Sequence, residues 1–322
     1  MPDWDSIIIG GGPAGLTAGL YLSRGKWRTL LIEKASAGGY IMNVAYIENY
    51  PGYSEGIVGS QLGMEMKEQA TKYGLRIERG EVIALLLSPG SHRVILADGN
   101  SISSRAVIIA GGSVHRNLGV PGEDKFQENG VIYCAFCDGG QFTDKVIAVC
   151  GGGDAGVTEA LYMANIASKV IIIEAIPEMT ATAVLQDKVR ENQKIEVRCG
   201  VKVEAIVGNS KIEGIEITGE KGQEETIKVD GVLVHVGLDP NTDYLEGVLP
   251  LDDGKQIVVN ESMETEIPGI FACGDIRSGS PRQVSTAAGD GATAGMAAQR
   301  FLQKTPVITS ELDDVMPFGG FV

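Results

Sequence analysis

Two cysteines three residues apart, Cys134 and Cys137, are the side chains of this sequence with the clearest chemical capacity. A pair at this spacing can close a small disulfide and open it again, because exchange runs through a thiolate. Asp138 follows directly and could carry protons for the pair. A structural zinc ion needs four ligands, and the other cysteines stand singly at positions 150, 199 and 273. We therefore predict a redox pair and no metal site.

A glycine-rich turn near the start of the chain is the first element that must position such chemistry. Residues 5–9 predict a short buried parallel strand, and residues 16–24 predict a helix. The turn between them fits G-x-G-x-x-G, with Gly10 for the tight turn, Gly12 for approach to a pyrophosphate and Gly15 for helix–strand packing. A second predicted strand, 29–32, ends at Glu33, whose carboxylate could accept hydrogen bonds from a ribose. This context predicts a dinucleotide site.

The same pattern returns directly after the cysteine pair. A predicted strand at 145–150 precedes a second G-x-G-x-x-G turn formed by Gly151, Gly153 and Gly156, and a helix is predicted at 157–166. The next predicted strand, 170–173, ends at Glu174, which has the same offset from its turn as Glu33. Two copies at matched spacing indicate an internal repeat of a nucleotide-binding unit.

The remaining segments predict elements that complete these two units. Residues 38–39 and 48–52 have the composition of loops, and 59–73 has helical spacing. Short alternating runs at 76–87 and 93–96 suggest a small sheet, and 107–109 a buried strand. The runs within 195–233 are interpreted as strands of the second unit, and 283–302 as a long helix rich in small residues. The fold class is therefore α/β, with two Rossmann-like (three-layer ββα) dinucleotide-binding domains.

Composition excludes several other classes of protein. The 322 residues carry a formal net charge of -15, which disfavours binding to nucleic acid or to anionic membranes. The apolar run near the N-terminus is broken by glycines and a proline, and no positively charged leader precedes it, so we expect no membrane span and a cytoplasmic protein. The 305–322 tail is either a frayed end or a segment whose Phe318 or Phe321 covers an aromatic ligand.

Together these motifs resemble the low-molecular-weight thioredoxin reductases from residue 1 to about 304. The resemblance rests on both glycine turns, on the segments 48–52, 134–139 and 273–275, and on 282–284 leading into 287–289. It implies a homodimer of two-domain subunits. An FAD-binding domain would be formed by 1–113 and 244–322, and a pyridine-nucleotide-like domain, 114–243, would carry the redox disulfide and be inserted in the first.

The resemblance also implies roles for single residues. Cys137 would face the flavin, Cys134 would attack the disulfide of a thioredoxin-like protein, and Asp138 would be the general acid. FAD would be held by residues from both ends of the chain: Gly10, Gly12, Pro13, Ala14, Gly15, Glu33, Lys34, Gly39, Asn49, Gly112, Gly274, Asp275, Arg282, Gln283 and Val284.

The sequence departs from the family after the second fingerprint. NADPH-dependent members carry arginines there for the 2′-phosphate, whereas no Lys or Arg occurs here between Glu174 and Lys188. NADPH is therefore an unexpected donor. Three alternatives stay open. The donor could be NADH bound through Glu174, or a protein such as ferredoxin. Electrons could also flow in the reverse direction, in a dithiol oxidase that takes them from a dithiol and gives them to oxygen. A non-enzymatic flavin redox sensor is the further alternative.

Overall fold

The computed structural model of the protein describes residues 2–127 and 129–305. Seventeen strands lie within these residues. In chain order they are β1 (Trp4–Ile9), β2 (Thr29–Glu33), β3 (Arg76–Arg79), β4 (Val82–Leu86), β5 (His92–Leu96), β6 (Ser101–Ile109), β7 (Ser113–His115), β8 (Val131–Ile132), β9 (Val146–Cys150), β10 (Lys169–Glu174), β11 (Ile195–Cys199), β12 (Val201–Gly208), β13 (Ile212–Gly219), β14 (Glu224–Ile227), β15 (Gly231–Val234), β16 (Leu238–Pro240) and β17 (Ile270–Ala272).

Seven α-helices and four short 3₁₀-helices connect the strands in this part of the chain. The α-helices are α1 (Pro13–Arg24), α2 (Gly59–Thr71), α3 (Glu123–Phe126), α4 (Ala135–Asp138), α5 (Asp154–Met163), α6 (Ala183–Glu191) and α7 (Val284–Lys304). The 3₁₀-helices are Gly39–Asn43, Gly139–Phe142, Asp243–Leu245 and Gly274–Ile276.

The first sheet has seven strands in the order β3-β2-β1-β6-β5-β4, and β17 also pairs with β6. Strands β1, β2, β3, β6 and β17 run parallel, whereas β4 and β5 are antiparallel additions at one edge. Helices α1 and α7 pack on one face of this sheet. The small sheet suggested at 76–96 does not form by itself: β4 and β5 pair with each other and extend the first sheet through β6, and β3 pairs with β2. Alternation marks a half-exposed strand but cannot tell which sheet the strand joins.

The second sheet contains five parallel strands in the order β11-β10-β9-β15-β8. The interpretation that the strands within 195–233 complete the second unit is confirmed. Strands β11 and β15 belong to this parallel sheet, whereas β12, β13 and β14 form an antiparallel sheet that packs into the same core. Strands β7 and β16, where the chain passes between the two units, pair with each other. The two Rossmann-like units of the predicted α/β fold are confirmed, while the domain boundaries 113/114 and 243/244 stay a prediction.

Both fingerprint helices begin earlier than the sequence predicts. Helix α1 begins at Pro13 rather than at residue 16, and α5 begins at Asp154 rather than at residue 157. The last fingerprint residues therefore form the first helical turn, whose N–H groups lack helical partners and could bind a phosphate.

Three other expectations meet the structure here. The loop predicted at 38–39 is a turn at Gly38, after which the 3₁₀-helix Gly39–Asn43 begins. Among the described residues, no helix has the length and apolar character needed to cross a bilayer. The predicted tail, with Phe318 and Phe321, lies outside the described residues except for Thr305, which follows α7.

Candidate active site

The first glycine turn allows the backbone to approach a ligand closely. Gly10 has a φ of 103°, and a Cβ at this position would lie 2.3 Å from the carbonyl oxygen of Ala110. A Cβ at Gly15 would lie 1.9 Å from the carbonyl oxygen of Gly10, which would push helix α1 away from the turn. Both positions therefore require glycine, as a dinucleotide fingerprint does.

Glu33 lies at the end of β2 beside this turn. Its Oε2 accepts a hydrogen bond from the backbone N–H of Gly11 at 2.7 Å, and its Oε1 accepts one from that of Ala35 at 2.8 Å. These bonds fix the carboxylate at the edge of the turn, and each oxygen has a further lone pair for a ribose hydroxyl.

The C-terminal segment adds polar groups to the same site. Gln283 precedes α7 and forms a capping box with Thr286, which explains why the helix begins at residue 284. The side-chain amide of Asn49 donates to Oε1 of Gln283 at 3.0 Å. Burial raises the pKa of Asp275, an effect that Arg282 opposes.

An ion pair supports this segment from behind. Asp290 accepts hydrogen bonds from Nε and Nη2 of Arg277 at 2.7 and 2.9 Å and from the backbone N–H of Gly274 at 3.2 Å. Both side chains are largely buried. The pair therefore fixes the backbone at Gly274–Asp275.

One cleft of about 1850 Å³ collects nearly all of the predicted FAD residues. Of these residues only Gly15, whose role is helix packing, is absent from the cleft wall. The wall contains Gly10, Gly12, Pro13, Ala14, Glu33, Lys34, Gly39, Asn49, Gly112, Gly274, Asp275, Arg282, Gln283 and Val284. A cleft that combines a glycine turn, a helix N-terminus and a fixed carboxylate at the strand end fits an adenine dinucleotide such as FAD.

The second glycine turn has the same construction. A Cβ at Gly151 would lie 2.2 Å from the carbonyl oxygen of His235, and one at Gly156 would lie 2.1 Å from that of Gly151. Glu174 accepts hydrogen bonds from the backbone N–H of Gly152 at 2.6 Å and of Ile176 at 3.2 Å.

The two sites differ in how they meet the cleft. Gly153 and Gly156 line the same cleft as the first fingerprint, whereas Gly151 and Glu174 do not. The first cation after Glu174, Lys188, forms an ion pair with Glu48 at 2.8 Å. No lysine or arginine of 175–187 thus faces a 2′-phosphate, because that segment contains none.

The redox pair lies at the start of helix α4. Cys134 and Cys137 form a disulfide, with their Cα atoms 5.4 Å apart. The backbone N–H of Cys137 donates to Sγ of Cys134 at 3.0 Å, and this sulfur lies 3.5 Å from the carbonyl oxygen of Asn43. Cys134 is half-buried, whereas Cys137 and Asp138 are exposed. None of these three residues is part of the cleft wall, although Cys134 adjoins it through its contact with Asn43.

The other cysteines are separate thiols. Cys150 and Cys273 are buried in the two cores, and burial raises the pKa of both, that of Cys150 to about 12. Cys199 is half-buried, and burial together with Glu174 raises the pKa of its thiol. Within 2–127 and 129–305, no three potential metal ligands converge on one point.

Among the residues of the cleft wall that the sequence interpretation did not select, three ionisable side chains lie close together. Glu159, His235 and His115 all line the cleft, and the two imidazole centroids are 5.2 Å apart. As an isolated histidine, His115 is expected from the sequence to be a surface or packing residue. Glu159 carries a usable signal, since it shares the apolar face of α5 with Gly156 and Met163.

Comparisons with known proteins agree with this geometry. A family model described as pyridine nucleotide-disulphide oxidoreductase matches residues 4–291. The thioredoxin reductase of Listeria monocytogenes is 40% identical over 307 residues, which cover 94% of each chain. The crystal structure of Lactococcus lactis thioredoxin reductase in the FR conformation superposes with a TM-score of 0.92 at 36% identity, covering 94% of this chain and 100% of that one. Thioredoxin reductase from Streptococcus pyogenes is 38% identical over 94% and 99% of the chains, but its TM-score is 0.63.

Two Rossmann-like units, a dinucleotide cleft and a Cys-x-x-Cys disulfide define a flavin-dependent disulfide oxidoreductase. Within that class, the chain belongs to the low-molecular-weight thioredoxin reductase family. The family implies FAD and a pyridine nucleotide as cofactors.

Proposed function

We propose that this protein is an FAD-dependent reductase of the disulfide in a thioredoxin-like protein, acting through Cys134 and Cys137. The observation that carries the proposal is the disulfide at the start of α4, whose Cys134 sulfur lies 3.5 Å from Asn43 in the wall of the dinucleotide cleft. FAD, when bound, supplies a carrier that passes two electrons at once, which is what a disulfide accepts.

The chain's own residues then have separable tasks. The N-terminus of α1 and the glycine turn would hold the pyrophosphate of FAD, and Glu33 would hold the adenosine ribose. Asp275 and Asn49 would hold other parts of FAD, and Gln283 and Val284 would contact its isoalloxazine. The Asp290–Arg277 pair keeps the Asp275 backbone in place.

Cys134 is the sulfur that attacks the partner. Once the disulfide is reduced, the N–H of Cys137 stabilises a thiolate on Cys134, and a stabilised thiolate is the reactive form. The thiolate attacks one sulfur of the partner disulfide and displaces the other, which Asp138 protonates. Cys137 then attacks the mixed disulfide, the Cys134–Cys137 bond forms again, and the partner leaves as a dithiol.

Electron transfer to Cys137 requires a different arrangement of the two units. Cys137 is exposed and does not line the cleft, so in the proposed role it must move toward the flavin. The difference in TM-score between two relatives of similar identity, 0.92 and 0.63, supports a family in which the units change orientation.

NADH is the donor that the second glycine turn fits best. Glu174 is fixed by backbone N–H groups as Glu33 is, ready for a ribose diol. A 2′-phosphate about 4 Å from that carboxylate would cost ~4 kcal/mol at an effective dielectric constant of about 20. With no cation in 175–187 to offset this repulsion, NADPH should bind at least a hundredfold more weakly.

A protein donor such as ferredoxin is the second candidate. The observation in its favour is that Glu174 lies outside the cleft wall, whereas its counterpart Glu33 is part of it. The predicted homodimer and cytoplasmic location remain predictions.

Anaerobic reduction of the bound flavin distinguishes these donors. The FAD-loaded protein is mixed with NADH, NADPH or reduced ferredoxin, and the absorbance of oxidised flavin is followed. Fast bleaching by NADH supports the proposal. Bleaching by ferredoxin alone would assign the donor role to a protein, and equally fast bleaching by NADPH would overturn the role given to residues 174–188. Oxygen consumption driven by reduced thioredoxin would instead indicate a dithiol oxidase.

A further inference from the structure

A buried carboxylate lies directly beneath the redox-active helix. Glu159, on α5, is only 5% exposed. Its Oε2 accepts a hydrogen bond of 2.6 Å from the backbone N–H of Ala135, the first residue of α4. Ala135 follows Cys134 in the chain, so this bond attaches Glu159 to the helix that carries both redox sulfurs and Asp138.

No permanent positive charge balances this carboxylate in the described part of the chain. The one ionisable group paired with it is His235, whose Nε2 lies 4.0 Å from Oε2 and has no hydrogen-bond partner there. His115 packs against His235 on one side and against Tyr40 on the other. Tyr40 comes from the 3₁₀-helix Gly39–Asn43, so the groups facing Glu159 belong to both units.

Burial decides where the proton lies. It raises the pKa of Glu159 to about 7, an effect that the N–H of Ala135 partly opposes. Burial, and then the neighbouring His115, lower the pKa of His235 to about 4. Desolvation by its neighbours, and then Glu159, also raise the pKa of Tyr40, which stays protonated although 39% of the residue is exposed. Near neutral pH, therefore, the imidazole of His235 is neutral, and Glu159 is the group of this cluster that gains or loses a proton.

We propose that Glu159 is a positioning residue for helix α4 that takes up a proton when the Cys134–Cys137 disulfide is reduced. Two electrons, from the flavin in turnover or from a dithiol in the test, break the S–S bond. One proton goes to Cys137, and negative charge remains on the Cys134 thiolate. A second proton goes from solvent to Glu159, which binds the backbone of Ala135 directly after Cys134, because the new negative charge on Cys134 disfavours the ionised form of Glu159. The inference rests on the redox role of the cysteine pair but not on the identity of donor or partner.

Glu159→Gln separates the proton from the hydrogen bond, because the amide oxygen can still accept from Ala135 while the side chain no longer titrates. The FAD-loaded protein is equilibrated with reduced and oxidised dithiothreitol between pH 6 and 8.5, at ratios that leave the flavin oxidised. Thiols are then trapped by alkylation and counted by mass. This gives the equilibrium constant for reduction of the cysteine pair at each pH.

Proton linkage sets the sign of the expected effect. Well below pH 7, Glu159 is protonated in both redox states, so the equilibrium constants of the two proteins should have the same slope against pH. As the pH rises through the pKa of Glu159, the natural protein takes up as much as one proton more on reduction than the variant does. Its equilibrium constant should then fall, relative to that of Glu159→Gln, by up to tenfold per pH unit. The exposed carboxylate Glu204, on β12 of the same half, is the control, and Glu204→Gln should follow the natural protein. Parallel curves for all three proteins would overturn the proposal.

A spectroscopic measurement on the natural protein covers the case in which the variant does not fold. The reduced-minus-oxidised infrared difference spectrum at pH 8 should contain a positive band from a protonated carboxylic acid, and Glu159→Gln should lack it if it folds. A spectrum without that band in the natural protein would contradict proton uptake by Glu159. Neither measurement uses thioredoxin or a nicotinamide nucleotide, so failure of the proposed donor or partner is distinguished from failure here.

Discussion

Glu33 and Glu174 occupy equivalent places in the two halves of the molecule. Each ends the strand that follows the fingerprint helix of its unit. Each accepts a hydrogen bond from a backbone N–H of its own turn, that of Gly11 at 2.7 Å and that of Gly152 at 2.6 Å. The repeat seen in the sequence is thus preserved to the level of single hydrogen bonds. The two halves differ in the segment after Glu174, where the chain has exposed Ala175 and Ile176 and no cation.

This relationship predicts that nucleotide preference can be altered at two exposed positions. Ala175→Arg combined with Ile176→Arg should improve NADPH relative to NADH by about tenfold or more, because each cation offsets part of the repulsion from Glu174. The ratio of kcat/KM for the two nucleotides measures this. The matched control is the double substitution to glutamine, which should leave the ratio unchanged. An identical ratio in the arginine variant would show that residues 174–176 do not contact the nucleotide.

Replacement of Cys134 and replacement of Cys137 should have different effects on the flavin spectrum and on the reaction with thioredoxin. Cys134→Ser should keep bound, reducible flavin and leave Cys137 as a thiolate that can approach the isoalloxazine, which produces a long-wavelength charge-transfer band. Cys137→Ser should lack this band and should trap a mixed disulfide between Cys134 and thioredoxin. Absorbance spectra and non-reducing gels test the pair. A band in Cys137→Ser and none in Cys134→Ser would reverse the assigned roles.

Asp138 is exposed beside Cys137, where it can exchange protons with solvent. Asp138→Asn should slow turnover with thioredoxin by about a hundredfold, since a positioned general acid contributes on that order. Flavin content and the rate of flavin reduction by the donor should remain unchanged. Turnover equal to that of the natural protein at every pH would remove Asp138 from the mechanism.

The buried Asp290–Arg277 pair should be needed for stability. Asp290→Asn leaves the guanidinium without its counterion and weakens the bond to Gly274, so we expect a loss of about 3 kcal/mol and reduced FAD content. Urea unfolding of the FAD-loaded protein measures the change. The exposed pair Asp187–Arg190 supplies the control, because Asp187→Asn should cost less than about 1 kcal/mol. Equal losses in the two variants would contradict the role of burial.

The sequence predicts the parts of this structure that local chemistry dictates. Both fingerprints are recognisable because Gly10 and Gly151 must adopt a backbone conformation that favours glycine, and because Glu33 and Glu174 follow at fixed spacing.

The sequence could not predict which segments far apart along the chain would contact each other. The strand at 76–79 joins the first sheet through β2, and nothing in its alternation indicates that partner. His235 is the residue after β15. It lies over the second glycine turn and near Glu159 only because β15 pairs with β9. No sequence motif surrounds His235 or His115, so the contacts of these two histidines depend on tertiary packing alone.

The most direct test of the central claim is the number of thioredoxin disulfides reduced per bound flavin. The FAD-loaded protein is given an excess of oxidised thioredoxin and of the donor that bleaches its flavin, without oxygen, and thioredoxin thiols are counted over time. We predict many equivalents per flavin and none with Cys134→Ser. A stop after one equivalent would contradict an enzyme and indicate a redox sensor.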